Sequence, residues 1–330
     1  MEKISKISLR DEWRNRWITI REFILYPVKE IMYLRGKIDV TDNYTYAAQE
    51  DFNLHDPNIP RWLNFGYWKE ETTYNRACAA LARKLGEIAK LSAGDQVLDV
   101  GFGFAEQDLL WVRENNVDSI IGLNLTELQV EIAQERVAKA GLSERIHLQV
   151  GSATKIPFEE NYFDKVTALE CAFYFNTRED FFAEAFRVLQ PGGVLAVADC
   201  LPSVGRKIDF WLRVNSKKMF IPIANLYDRN AYVEKLKSCG FVNIQAISIS
   251  EYVWSAWVYY FAQVGIKVSD HNVGRGISNH DEIVIDLQKN NPGIEDWLKN
   301  WGWFMGFDDY VLFSAEKPPE VDKGASKAAE

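Results

Sequence analysis

The sequence is poor in cysteine and histidine, with four of each in 330 residues. Cys78, Cys171, Cys200 and Cys239 lie far apart, with no CxxC pair and no histidine beside them. That spacing excludes a disulfide framework and a cysteine zinc site, so no metal centre is expected, and a reducing, cytoplasmic setting is. No run approaches ~18 uncharged apolar residues, which excludes a membrane-spanning helix. The opening residues, MEKISKISLRDEWRNRW, are too evenly charged for a secretory signal. Basic residues are in deficit, 38 Lys and Arg against 47 Asp and Glu, for a net charge of −9. A uniformly acidic chain suits a phosphate backbone poorly, so nucleic acid is not an expected partner. What is present is a core-forming composition, 47% apolar and 26% charged, which excludes disorder over most of the length.

Hydrophobic patterning gives the organisation. Gln96–Val100 is a short apolar run ending at Gly101, as in a buried parallel strand. Helical spacing follows over Glu106–Asn115, then an apolar strand over Ser119–Leu125 and a second helix over Glu127–Ala140, stopped by Gly141. Arg145–Ser152 and Phe163–Cys171 read as strands three and four, Glu179–Leu189 as a helix, and Val194–Asp199 as strand five after Pro191-Gly192-Gly193. Asp228–Ser238 reads as a helix, and Val242–Ser250 and Asp309–Ala315 as two closing strands. Strands and helices alternating at this pitch predict an α/β fold, a Rossmann-like seven-stranded, mostly parallel sheet with helices on both faces. The expected divisions are an N-terminal helical extension and cover over residues 1–68, a core over 69–251 and 307–317, an aromatic-rich helical lid insertion over 252–306 before the last strand, and a disordered tail over 318–330.

The chemistry-bearing segment begins at Val97-Leu98-Asp99-Val100-Gly101-Phe102-Gly103, a buried strand running into two glycines. Glycines there let the backbone pass close to a ligand and aim the next helix's amides at it. A dinucleotide loop has a third glycine where Glu106 stands, and a carboxylate there opposes a pyrophosphate. The loop therefore favours a nucleoside ligand without a phosphate bridge over NAD. Strand two ends at Gly122-Leu123-Asn124-Leu125 and strand three at Gly151-Ser152-Ala153, followed by Ile156-Pro157-Phe158 and Tyr162-Phe163-Asp164. Arg187-Val188-Leu189-Gln190-Pro191-Gly192-Gly193 precedes strand five.

In this order, from Asp95 to Asp199, the string resembles the class I S-adenosylmethionine-dependent methyltransferases. It is most similar to their small-molecule branch of sugar and macrolide O-methyltransferases, tocopherol-type C-methyltransferases and the cyclopropane group. The resemblance implies S-adenosyl-L-methionine as cofactor and a small-molecule substrate. Asp99, Gly101 and Gly103 would surround its methionyl part, Asn124 would take the ribose hydroxyls with Gln129 nearby, and Leu125 would face the adenine. Ser152 and Ala153 would edge the adenine, and the backbone around Glu170 and Cys171 would hold the amino group. Leu63-Asn64-Phe65-Gly66-Tyr67-Trp68 is similar to an aromatic–Gly–aromatic element that folds over the cofactor, which makes Tyr67 a contact. Relatives usually carry an acid where Asn124 stands and often an Asp where Ser152 stands. The implied cofactor affinity is correspondingly weaker.

The catalytic candidate is Tyr174, in Glu170-Cys171-Ala172-Phe173-Tyr174-Phe175, where relatives resemble Glu-Ser-Ala-Phe-His-Phe. A tyrosine of ordinary pKa, near ~10, is a poor base at neutral pH, so either Tyr174 orients substrate or another group takes the proton. Plainer readings stand beside these. Asp99 could cap the loop, Leu125 could be core, and the tryptophans flanking the motif block could serve packing rather than a roofed chamber. The expected activity is methyl transfer to a small, largely apolar natural-product or lipid-like acceptor, with O-methylation favoured. C- or N-methylation, an inactive cofactor-binding protein, a membrane-surface role for the basic, aromatic N-terminus and a homodimer stay open.

Overall fold

In the computed structural model the described residues are Thr41, Asp42, Thr45, 59–260 and 306–320. The expectations on most of the N-terminal extension before residue 59, on most of the insertion and on the last ten residues lie outside them, as do Trp13, Trp17, His55, His271, His280, Trp297, Trp301 and Trp303.

Seven strands form one sheet in the order β3-β2-β1-β4-β5-β7-β6. They are β1 (Gln96–Val100), β2 (Ser119–Asn124), β3 (Ile146–Val150), β4 (Phe163–Leu169), β5 (Leu189–Leu201), β6 (Val242–Ser248) and β7 (Asp309–Glu316). All neighbours pair in parallel except β7, which runs antiparallel to both β5 and β6. The expected architecture is therefore present.

Period-two alternation of the strand residues builds two cores. On one face Val97, Ile120, Ala196 and Ala198 meet helices α1 (Tyr74–Ile88), α2 (Glu106–Glu114) and α3 (Glu127–Lys139) through Leu81, Leu85, Trp111 and Val137. On the other, Leu98, Val166, Leu195 and Val197 meet α4 (Arg178–Val188) and α6 (Arg229–Ser238) through Phe181, Phe182, Tyr232 and Leu236. Helix α5 (Phe210–Lys218) follows β5. Its Phe210 and Trp211 are exposed.

Two helices and one strand start differ from the sequence reading. Helix α1 is absent from that reading, although Ala77, Cys78, Leu81, Ala82 and Leu85 recur at helical spacing and are all buried. Helix α5 is absent from it too; of its residues only Leu212, Asn215 and Ser216 are buried, which leaves little apolar periodicity to read. Strand β5 begins at Leu189 rather than Val194. The main chain of Lys317 accepts from the Gly192 amide at 2.9 Å and donates to the Gly193 carbonyl at 2.9 Å, extending the ladder through the Pro-Gly-Gly step. Helix α4 starts at a capping box, in which Thr177 Oγ1 accepts from Asp180 N and Asp180 accepts from Thr177 N.

Candidate active site

In an open parallel sheet the carboxyl ends of the strands face a crevice. Here the ends of β1, β2, β3 and β4 open onto a cavity of about 410 Å³, within the range of small-molecule sites, roughly 300–1,000 Å³. Of the residues expected from sequence, Gly101, Gly103, Asn124, Leu125, Gln129, Ser152, Ala153, Glu170, Cys171 and Tyr174 all line it.

The β1 loop owes its path to its glycines. Gly101 has φ +73°, and a Cβ there would lie 2.6 Å from the Cβ of Cys171. Gly103 has φ +60° and would place a Cβ 3.1 Å from Leu63. The first glycine is thus required by the close passage of the loop over the end of β4. Cys171 fixes that passage from below by donating to the Val100 carbonyl at 3.0 Å.

Two expected contacts are not among the lining residues. Asp99 is fully buried beneath the loop, where it accepts from Thr167 Oγ1 at 2.7 Å and from Gln107 Nε2 at 3.0 Å. It reaches the cavity only through Gln107, which does line it. Burial pushes the Asp99 carboxyl up to about 6. Burial and the adjoining Asp99 charge raise Asp108 well above the carboxylate range. Tyr67 turns away: its amide donates to Ala77 O at 2.8 Å and its ring packs edge-on against Tyr252. The same segment instead offers Leu63 and Asn64 to the cavity. A glycine at residue 66 (φ +81°) reverses the chain between Asn64 and Tyr67, which puts the two on different sides.

The β2 and β3 ends supply an amphipathic wall. Asn124 Nδ2 donates to Gln129 Oε1 at 3.0 Å, which pairs the two amides. Leu125 is 50% exposed, so it is not core; it stands as bare apolar surface within the cavity. Ser152 is committed to its own turn, accepting from Thr154 N at 3.2 Å, and Ala153 is buried at the wall.

The β4 end carries the charge. Glu170 is held at φ +53° and is buried. Its Oε1 accepts from the Phe65 amide at 2.8 Å and from the Tyr310 hydroxyl. Burial pushes its pKa up to about 8, against the lowering effect of those two donors. Tyr174 follows on a short 3-10 turn (Ala172–Tyr174), its ring edge-on to Phe173 at 4.3 Å. Trp254 and Trp257, at the start of the insertion, pack on Phe65 with centroids 5.2 and 4.7 Å away. The two flanks thus meet over the β4 end.

Sequence reasoning missed Arg61, Gln107, Phe175 and Asn176 as lining residues. It also missed the use of Glu106, whose carboxylate accepts from the Arg61 amide at 3.0 Å and pairs with Arg136. That acid binds the segment before β1 to α2 and is neutralised, rather than standing against a ligand.

The donor set fits an adenosyl amino acid. A cradle that a Cβ would fill, paired amides, a bare leucine, a guanidinium (Arg61) and a buried carboxyl (Glu170) lie along one cavity. A loop of this kind at this sheet edge, with a β7 reversal at the far side, defines a Rossmann-like nucleoside-binding fold. A family model described as a methyltransferase domain matches residues 98–197. Erythromycin 3''-O-methyltransferase of Saccharopolyspora erythraea is 37% identical over 267 residues, covering 78% of this chain and 84% of that one. 27-O-demethylrifamycin SV methyltransferase of Amycolatopsis mediterranei is 32% identical over 199 residues, covering 59% and 72%. The solved structure of the [4+2]-cyclase SpnF superposes with a TM-score of 0.63 at 20% identity, covering 86% of this chain and 97% of that one, a likeness of fold. The chain belongs to the small-molecule branch of the class I S-adenosylmethionine-dependent methyltransferases. Its cofactor is S-adenosyl-L-methionine. Among the described residues no helix is long and apolar enough to cross a membrane.

Proposed function

We propose that the protein methylates a hydroxyl oxygen of a mid-sized, largely apolar natural-product or lipid-like molecule, with Glu170 as general base. One observation carries this reading: among the described residues Glu170 is the carboxyl lining the cavity, and both of its donors bond Oε1. Oε2 is left as the oxygen that can meet a ligand. An alcohol acceptor needs a base, whereas a cationic carbon intermediate does not require one at this point. The two O-methyltransferase relatives, acting on erythromycin and rifamycin precursors by their names, support the acceptor class.

Bound at this site, S-adenosylmethionine supplies an activated methyl group. The chain's own part is to orient, to exclude water and to take one proton. Gly101 and Gly103 admit the methionyl part, Asn124 with Gln129 meets the ribose, and Leu125 with Ala153 flanks the adenine, edged by Ser152. The backbone at Glu170 and Cys171 accepts the amino group. Asp99 acts at one remove by fixing Gln107, and Tyr67 is not carried into the site. On this reading Tyr174, which also lines the cavity, orients the acceptor hydroxyl toward Glu170 and need not itself act as base. Four free cysteines among the described residues suit a reducing, cytoplasmic setting.

The test is a panel of hydroxylated macrolides and their glycosides, incubated with S-adenosylmethionine and read by mass spectrometry. Gain of one methylene at an oxygen is expected; methylation at carbon only, or no product with any hydroxylated acceptor, would overturn the reading.

A further inference from the structure

We propose that Asn225, outside the cavity, is a positioning residue that sets Tyr174 against the acceptor; this rests on the reading of Tyr174 given above. Asn225 ends a 3-10 turn (Ile223–Asn225) in the connection between β5 and α6 and is fully buried. Its Nδ2 donates to the carbonyls on either side of Tyr174, to Phe173 O at 3.1 Å and to Phe175 O at 2.7 Å. Both amide hydrogens are therefore spent on one tripeptide, the one that carries Tyr174 and Phe175 into the cavity.

The acceptor side of the same amide is equally engaged. Asn225 Oδ1 accepts from the Arg178 amide at 3.1 Å, at the first residue of α4, and its main-chain carbonyl accepts from the Arg178 guanidinium. Arg178 is in turn held by a two-point contact with Asp199, at 2.8 and 3.1 Å, and by the Cys200 carbonyl at 3.1 Å. All of Arg178, Asp199 and Asn225 are without solvent exposure. The rings of Tyr227 and Tyr232 close over the guanidinium at 5.2 and 5.5 Å. Because Arg178, Asp199 and Asn225 are each paired in a buried setting, their arrangement is favoured: displacing any of the three leaves a polar group unpaired in low dielectric. The network therefore joins two rigid elements, β5 and α4, to a turn whose own bonds include Tyr174 N to Cys171 O and Phe175 N to Ala172 O. Without Asn225 that turn keeps those internal bonds and loses its tie to Arg178.

A role in positioning, as opposed to holding the fold, makes a distinctive prediction. Asn225→Asp preserves the shape and the acceptor for Arg178 N–H but removes both donors. It should lower kcat by about 10²-fold, the scale of a misplacement near 1 Å, and leave the affinity for S-adenosylhomocysteine unchanged. Asn225→Ser serves if the aspartate variant fails to fold. Leu236→Ala, in the core on α6 and outside the hydrogen-bonded network, supplies the control for simple loss of stability: its melting temperature falls while kcat holds. Combined with Tyr174→Ala, Asn225→Asp should cause no further loss, because the first change already removes what the second acts on. Amide exchange at residues 173–176 should accelerate in Asn225→Asp while the 101–105 loop stays protected. This second readout needs no acceptor. If Tyr174→Ala alone leaves turnover intact, the reading of Tyr174 fails. If Tyr174→Ala is impaired but the two variants' effects multiply, or if exchange at 173–176 matches wild type in the folded variant, the positioning role of Asn225 is wrong.

Discussion

The two halves of the cavity are built in opposite ways. At the β1–β3 ends, side chains are fixed by neighbours a few residues away: Asn124 by Gln129, Ser152 by Thr154, Gln107 by Asp99. At the β4 end, Glu170 is held by residues 105 and 140 positions distant, and the Tyr174 turn by one about 50 away. The first half is a set of strand–turn units, to which the proposed reading gives the constant ligand. The second is a meeting place of connections, where on the proposed reading the cofactor is met by backbone and the acceptor by side chains that can change independently. Substitutions in the first half should therefore show in cofactor affinity and those in the second in turnover.

The largest expected effect breaks both halves together. Gly101→Val forces a side chain at φ +73° into contact with Cys171, which is where the β1 loop crosses the β4 end. Calorimetry with S-adenosylhomocysteine should detect no binding; normal affinity in a folded variant would mean that the loop is misassigned. Next, Glu170→Gln should reduce turnover by about 10²–10⁴-fold, the range of a general base, with cofactor affinity near wild type. A loss confined to affinity would move Glu170 into the cofactor half.

The pH dependence of stability follows from the same group. Burial raises Glu170 from 4.5 to about 8 in the folded chain. Between those values the native state binds more protons than the unfolded chain, so this group's contribution to stability falls as pH rises through that window. Denaturation midpoints across the window should decline less in Glu170→Gln than in wild type. Asn124→Ala should weaken S-adenosylhomocysteine by ~1–2 kcal/mol, the scale of one hydrogen bond to a ligand hydroxyl; an unchanged Kd would leave the ribose to Gln129. Smallest of all, Tyr67→Phe should change neither affinity nor turnover, because the ring faces Tyr252. A clear loss of cofactor affinity there would restore the contact that the resemblance implied.

The contrast between the halves also explains what was legible in the sequence. Strand β1 and its two glycines, Asn124, Gln129 and Leu125 could be read because apolar runs ending in turns locate the sheet's carboxyl edge, and their partners are close in the chain. The side to which Tyr67 points is not legible, because the reversal at Gly66 is a matter of backbone sign, invisible in an aromatic–Gly–aromatic string. Glu106 reads as a repulsive charge because Arg136 stands 30 residues further on, and only the folded chain brings the two together. Nothing local points to Tyr310 or Asn225. Their roles come from the antiparallel return of β7 beside β5 and from the path of the β5–α6 connection, which are properties of the whole sheet. Helix α1 is a different case, since its periodicity was there to be read.

The division of labour between the halves rests most directly on Glu170. Single-turnover methyl transfer to a hydroxylated macrolide glycoside, followed against pH in wild type and Glu170→Gln at saturating S-adenosylmethionine, measures it. The wild-type rate should climb as the carboxyl ionises and level off above about pH 8, while the variant stays slow and flat. A variant that keeps the wild-type rate and profile would contradict the assignment of the proton to Glu170.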